Sequence, residues 1–227
     1  MDMHTTDERM TRDDLARRTA GDLLGIGAVA LSPEAPFTWA SGLRSPIYCD
    51  NRLTMAYPAV RRRLTEGFTA RIRAQHLHPD VIVGTATAGI PHAAWLADRL
   101  DLPMAYVRSK PKAHGRGNQV EGRVEAGQPV VVIEDLVSTG MSSVAVVQAL
   151  REHGAEVQAV LAIFSYGLPA AEAAFAEAGV PLFMLTDFTT LLGVAREQGA
   201  LSPEAVAVLE AWRKDPVGWS ERWRAGR

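Results

Sequence analysis

The stretch that most constrains the fold is residues 130–143, which read Val-Val-Val-Ile-Glu-Asp-Leu-Val-Ser-Thr-Gly-Met-Ser-Ser. Its first four residues are β-branched and follow Pro129. This predicts a strand over residues 130–133 that is buried on both faces, as in a parallel sheet covered by helices. Two carboxylates, Glu134 and Asp135, come at the predicted end of the strand.

A polar turn containing Ser138, Thr139 and Gly140 separates this strand from a helix predicted over residues 141–153. The first N–H groups of a helix have no intrahelical partner, and the helix dipole favours anions there. Adjacent carboxylates repel each other unless they share a cation or a polyhydroxyl ligand. A ligand with a sugar diol and a phosphate would satisfy both features, whereas the alternative is a buried strand followed by an ordinary helix cap.

The remaining pattern predicts an α/β fold with a doubly wound, mostly parallel sheet flanked by helices. Single helices between strands favour right-handed crossovers within one sheet. Further strands are predicted at residues 80–84, 104–107, 157–164 and 182–185, and further helices at residues 11–28, 57–75, 90–100, 169–178, 186–196 and from Pro203 onward.

Residues 37–52 contain two short β-like runs around Ser-Gly and Ser-Pro pairs, which predicts a small antiparallel hairpin outside the sheet. We therefore expect an N-terminal hood segment (1–56), a core (57–200) and a C-terminal helix with a Trp-rich tail (201–227), all in one structural unit. The tail places Trp219 among arginines. Packing on the body or on a second subunit is favoured over contact with a membrane or a nucleic acid.

Composition gives no general reason to expect a nucleic-acid or membrane partner. The 227 residues carry a net charge of −2, and local basic patches are the exception to examine. The single cysteine, Cys49, cannot form an intrachain disulfide, which fits a reducing cytosol. No apolar run approaches the roughly 20 residues needed to span a bilayer. We expect a cytoplasmic protein.

A second informative stretch, residues 108–118, reads Arg-Ser-Lys-Pro-Lys-Ala-His-Gly-Arg-Gly-Asn. It contains four cationic side chains, one histidine and no acid, and the next acid is Glu121. Its proline and glycines make a regular element unfavourable and predict a long loop. A solvated basic loop is the simplest explanation, but the position after a strand of the same sheet favours a lid that brings positive charge to a polyanion.

These stretches resemble motifs of one enzyme family. Residues 130–143 resemble the 5-phosphoribosyl-1-diphosphate (PRPP) signature of type I phosphoribosyltransferases. The loop pattern Tyr-Val-Arg-Ser-Lys-Pro-Lys-x-His-Gly and the hood pattern Phe-Thr-x-x-Ser-Gly-x-x-Ser-Pro are similar to those of orotate phosphoribosyltransferases. The resemblance implies transfer of ribose 5-phosphate from PRPP to orotate in pyrimidine synthesis, with Mg²⁺ as cofactor. It also implies a homodimer whose catalytic loop is shared between subunits.

The resemblance further implies a role for each matching residue. Arg108, Lys112 and His114 would bind the diphosphate of PRPP and, with Asp135, carry the catalysis. Glu134 and Asp135 would hold the ribose hydroxyls. The 5′-phosphate would be wrapped by Leu136, Val137, Ser138, Thr139, Gly140, Met141 and Ser142. Ser138 would also face orotate, residues 84–89 would form the diphosphate-side loop, and no side chain is assigned as a metal ligand.

Several positions depart from the pattern of many family members. Ala40 stands where a lysine near orotate is common, Ala88 stands where a lysine of the diphosphate loop is common, and Ser109 replaces a further basic residue. Tyr166 lies near the place of an orotate-contacting arginine, which leaves the carboxylate of the base without an assigned partner. Arg44 is a candidate by charge alone. A purine-type phosphoribosyltransferase and a non-catalytic, PRPP-sensing regulator that binds nucleic acid remain as alternatives.

Overall fold

The computed structural model describes residues 11–108 and 119–226 of the chain. These residues form a central sheet with helices on both faces, and a small hood of short strands beside it. In chain order the elements are α1 (Arg12–Gly25), β1 (Val29–Leu31), β2 (Phe37–Thr38), β3 (Arg44–Ser45), β4 (Ile47–Cys49), a 3₁₀ helix (Asn51–Ala56), α2 (Pro58–Ala74), β5 (Val81–Thr85), α3 (Gly89–Leu100), β6 (Met104–Val107), β7 (Val120–Glu121), β8 (Pro129–Val137), α4 (Met141–Glu152), β9 (Glu156–Ser165), α5 (Pro169–Ala178), β10 (Leu182–Asp187), α6 (Phe188–Glu197), α7 (Pro203–Lys214) and α8 (Pro216–Ala225).

The central sheet has the strand order β10-β9-β8-β5-β6-β7. Its neighbouring strands are parallel except at the edge, where β7 pairs antiparallel with β6. This confirms the predicted α/β class with a doubly wound, mostly parallel sheet. Among the described residues, no helix is long and apolar enough to cross a membrane.

Strand β8 lies inside the sheet, between β5 and β9, and each of its faces belongs to a different core. Val130 and Val132 pack in one hydrophobic cluster, and Val131 and Ile133 pack in the other. All four side chains are fully buried. This confirms the prediction that the unbroken apolar run is buried on both faces of the sheet.

Several predicted element ends are confirmed by their caps. Thr11 and Asp14 form a capping box at the start of α1. The Ser202 hydroxyl accepts a hydrogen bond from the Ala205 N–H at 3.2 Å, at the start of α7. Helix α6 begins two residues later than predicted because Thr186 and Asp187 complete β10, and Asp187 then caps the helix.

The prediction that the central strand ends at Ile133 is wrong. Strand β8 continues to Val137, because Leu136 and Val137 pair with Phe164 and Ser165 of β9. The two acids therefore lie within a strand rather than after it. The two-residue strand β7 was not predicted, and its pairing with β6 brings Arg108 next to Gln119.

The hood contains two short antiparallel pairs instead of the single predicted hairpin. Strand β2 pairs with β3, whereas β4 pairs with β1. Pro46 stands between β3 and β4, and proline cannot donate to a ladder. The pairing therefore changes partner at this residue.

The C-terminal tail packs on the body of the protein, as the sequence favoured. Helix α8 lies against β3 of the hood. Trp219 is buried and stacks on Trp223, with ring centroids 5.4 Å apart. The tail is therefore part of the hood in space, although it lies far from the hood in the sequence.

Candidate active site

The acid pair of β8 lies in a buried environment. The Glu134 side chain accepts a hydrogen bond from the Ser143 hydroxyl at 3.0 Å and another from the Asp135 N–H at 3.1 Å. Burial raises the pKa of Glu134 to about 8, and the negative charge of Asp135 contributes in the same direction. Burial also raises the pKa of Asp135. The pair therefore holds a proton more tightly than two exposed carboxylates would.

The hood is tied to the acid pair through Asn51. The Asn51 side-chain amide donates to the backbone oxygen of Asp135 at 2.6 Å, and the Asn51 backbone oxygen accepts from the Thr54 hydroxyl. The Cys49 thiol donates to the Asn51 side-chain oxygen at 3.3 Å. Burial raises the pKa of Cys49 well above its ordinary value, which disfavours the thiolate and agrees with a packing role.

The turn after β8 leaves the start of α4 open. Gly140 adopts a φ of 78° and offers no side chain, so α4 begins at Met141 without a side-chain cap. A side chain at this position would lie 3.0 Å from the Phe175 ring. Ser138 and Thr139 precede the glycine, and Ser142 lies in the first helical turn. Uncapped N–H groups at a helix start suit a phosphate.

Residues 84–89 connect β5 to α3 beside the acid pair. A Cβ atom on Gly89 would lie 2.3 Å from the Ile133 carbonyl oxygen. Only glycine lets α3 begin this close to β8, one residue before Glu134. The loop predicted to face a diphosphate is therefore adjacent to the acids.

A first cavity, of about 160 Å³, lies on the β5 and β6 side of the acids. Arg108 and Ser142 both line it, together with Thr85 and Gln119. The Arg108 guanidinium is 3.6 Å from the Glu121 carboxylate. The predicted residues Lys112 and His114 lie outside the described residues.

A second cavity, of about 440 Å³, lies between the hood and the turn after β8. Its aromatic wall includes Trp39 and Tyr166, whose ring centroids are 5.3 Å apart. The lining residues are Trp39, Ala40, Ser41, Leu43, Tyr48, Cys49, Ser138, Thr139 and Tyr166. Arg44 is not among the described residues that line it. Strand β8, which carries the acids, lies between β5, which contributes Thr85 to the first cavity, and β9, which directly precedes Tyr166 of the second cavity.

The structure brings together the predicted site residues that it describes, and two of the residues predicted to wrap the phosphate lie in the strand before the turn. Leu136 and Val137 belong to strand β8, and Val137 is 1% exposed. The open phosphate-type turn consists of residues 138–142. Asn51 was missed, and its position directly after the hood strands was the only signal in the sequence.

Comparison with known proteins first defines the class of protein. Residues 61–164 match the family model described as the phosphoribosyl transferase domain. A solved chain of Leishmania donovani UMP synthase has a TM-score of 0.73 at 28% identity, over 87% of this chain and 42% of that chain. The present chain therefore spans less than half of that protein. An adenine phosphoribosyltransferase, at 19% identity and a TM-score of 0.59, shares the fold.

Relatives of known type then define the family. An orotate phosphoribosyltransferase of Bacillus pumilus is 58% identical over 91% of this chain and 96% of the relative. The orotate phosphoribosyltransferase of Bacillus caldolyticus is 56% identical over 88% of this chain and 97% of the relative. The solved structure of the Aeropyrum pernix orotate phosphoribosyltransferase has a TM-score of 0.69 at 32% identity. The match covers 81% of this chain and 99% of that chain. The chain belongs to the orotate phosphoribosyltransferase family, which confirms the resemblance found in its motifs.

Proposed function

We propose that this chain transfers ribose 5-phosphate from PRPP to orotate, giving orotidine 5′-monophosphate and diphosphate in pyrimidine nucleotide synthesis. The observation that carries this proposal is the buried Glu134–Asp135 pair, followed by the uncapped start of α4 and situated between two cavities. This arrangement fits a sugar phosphate that has a diphosphate in one cavity and a base in the other. Family membership supports orotate as the base.

The arrangement gives each part of the substrates a place. The carboxylates of Glu134 and Asp135 would hold the ribose hydroxyls. The 5′-phosphate would bind the N–H groups of residues 138–142. The diphosphate would occupy the first cavity beside Arg108, and orotate would occupy the second cavity, where Ser138 lies.

The chemistry requires positive charge beside the leaving group. Breaking the anomeric C–O bond gives the ribose oxocarbenium character and leaves negative charge on the diphosphate. Arg108 lines the first cavity and is available to stabilise that charge. By family resemblance, Lys112 and His114 add two further cations. Stabilising charge that develops in the transition state is usually the largest catalytic term.

The acid pair also fits Mg²⁺ as cofactor. Within the described residues, no group of three or more His, Cys, Asp or Glu side chains could hold a metal ion alone. Mg²⁺ is usually coordinated by one or two carboxylates together with substrate phosphates and waters. Glu134 and Asp135 are suited to supply those carboxylates. When bound, Mg²⁺ would offset charge on the diphosphate.

The test is diphosphate release from PRPP with Mg²⁺ in the presence of single bases. We expect turnover with orotate and none with adenine, hypoxanthine or xanthine. A chain that uses a purine and leaves orotate unchanged would contradict the proposal. A chain that binds PRPP without turning over any base would favour a regulator.

We also propose that the chain works as a homodimer in the reducing cytoplasm. Leu53, Met55 and Tyr57 are each about two-fifths exposed and lie around the 3₁₀ helix of the hood. Nearby, the Arg61 guanidinium packs 4.9 Å from the centre of the Trp95 ring. An exposed apolar run of this kind suits an interface with a second copy. The unpaired Cys49 supports a reducing compartment.

Mixing two inactive variants tests whether the catalytic loop is shared. Lys112→Ala and Asp135→Asn homodimers should each be nearly inactive. If Lys112 acts in the partner's site, random hybrids with C2 symmetry should recover about a quarter of wild-type activity. Steady-state rates after refolding the mixture, with hybrid content measured by mass spectrometry, check this. Verified hybrids without recovery would place the whole site within one subunit.

A further inference from the structure

The turn of the hood hairpin forms one wall of the second cavity. We call residues 39–44 the hood turn. It is closed by hydrogen bonds from the Trp39 N–H to the Leu43 oxygen at 2.9 Å and from the Gly42 N–H to the Trp39 oxygen at 2.8 Å. Ala40, Ser41 and Leu43 of this turn line the cavity. The position of the turn therefore sets the width of the pocket.

Helix α8 holds the hood turn by its backbone. The Ser220 hydroxyl accepts a hydrogen bond from the Arg44 N–H at 2.9 Å, and the Arg224 guanidinium donates to the Gly42 oxygen. Ser220 is 1% exposed. These two contacts flank Leu43, a lining residue, so a shift of α8 would move the pocket wall.

The C-terminal helices also support the cavity from behind. Trp212 of α7 is fully buried, and its ring centroid lies 5.5 Å from that of Trp39 and 5.7 Å from that of Tyr166. Asp215 caps α8 by accepting from the Gly218 N–H at 2.9 Å. The helix that carries Ser220 is thereby fixed to the helix that supports the aromatic wall.

The residues that line the second cavity explain why the position of the hood turn matters for binding. Among the described residues that line the second cavity there is no cationic side chain. A small planar base in this cavity is then held by the shape of the cavity, by lining hydroxyl groups and by backbone groups of the turn, and the shape depends on where the turn lies.

We propose that Ser220 and Arg224 are positioning residues for the base, and that α8 sets orotate affinity by holding the hood turn. This inference rests on the proposed function. Among the described residues, the hydrogen bonds of Ser220 and Arg224 to other segments go to the hood turn and not to the acid pair or the turn after β8. Their loss should therefore affect the base and spare PRPP.

Steady-state kinetics of Ser220→Ala and Arg224→Ala test the proposal. Each removes one hydrogen bond to the turn, and we expect KM for orotate to rise about 5- to 20-fold. We expect kcat to change by less than about 2-fold and KM for PRPP to stay constant. Arg224→Lys should restore part of the orotate affinity, because lysine can still donate to Gly42.

Arg222→Ala is the matched control, since Arg222 lies on the same helix and pairs with Asp215 instead of the turn. Its KM values should equal those of the wild type. An unchanged orotate KM in the Ser220 and Arg224 variants, or a parallel rise of both KM values, would overturn the positioning role. A wild-type chain that does not turn over orotate would instead overturn the proposed function and this inference with it. Thermal unfolding of each variant verifies that it is folded.

Discussion

Replacing Asp135 by asparagine is expected to lower kcat/KM for PRPP by about 10²- to 10⁴-fold. The reason is that Asp135 would hold ribose hydroxyls through charge-assisted hydrogen bonds, each worth about 1.5–3 kcal/mol. Asparagine keeps the size of the side chain and the backbone oxygen that accepts from Asn51. Initial rates at varied PRPP concentration measure the loss.

Asp187→Asn provides the matched control for this variant. Asp187 belongs to another parallel strand of the same sheet and is its last residue, but it caps α6 by accepting from the Thr190 N–H at 2.8 Å. Asparagine is an equally good cap, so activity should be unchanged. A loss below about 5-fold in the Asp135 variant would remove its carboxylate from the ribose site, since one charged hydrogen bond is worth more than that.

Replacing Glu134 by glutamine is expected to stabilise the free protein at alkaline pH while it weakens PRPP binding. Between the ordinary pKa of 4.5 and the raised pKa of about 8, the native state keeps a proton that the unfolded chain has released. The free energy of unfolding therefore falls as pH rises through this window. Glutamine cannot ionise, so the free energy of unfolding of the variant does not fall for this reason as pH rises.

Thermal unfolding of the ligand-free protein at two pH values measures the effect. The melting temperatures of variant and wild type should agree at pH 5, and at pH 8 the variant should melt about 5–10 °C higher. Glu156→Gln is the control, because this exposed residue of β9 has no comparable burial. A constant difference between variant and wild type at both pH values would show that Glu134 has an ordinary pKa.

The sequence predicted the site better than the strand that carries it. Val130 to Ile133 could be read as a doubly buried strand because burial on both faces leaves an unbroken apolar run. Glu134 and Asp135 looked like the end of that strand because carboxylates are rarely buried. The strand continues because β9 offers pairing partners up to Ser165, and a pairing register is not visible in one sequence.

The hood shows a second limit of sequence reasoning. The β-like runs on either side of Pro46 were recognised, but their partners were not. Strand β1 has three residues, too few for a period to distinguish a strand from a helix end. The pairing of β1 with β4 is therefore a tertiary result.

Long-range hydrogen bonds were the least predictable feature of the site. Asn51 contacts β8 across 84 positions of sequence, and Ser220 contacts the hood turn across 176 positions. Neither residue belongs to a periodic pattern or to the quoted family motifs. Their partners are backbone atoms, which carry no side-chain signature in the sequence.

The attachment of α8 to the hood also has a consequence for the order of folding. The hood hairpin is synthesised early, but Ser220 and Arg224 are synthesised 176 and 182 positions after their partners. At translation rates of 5–20 residues per second, that delay is roughly 10–35 s. The sheet and the acid pair can form during this interval. The wall of the base pocket gains these contacts only after Ser220 and Arg224 have been synthesised.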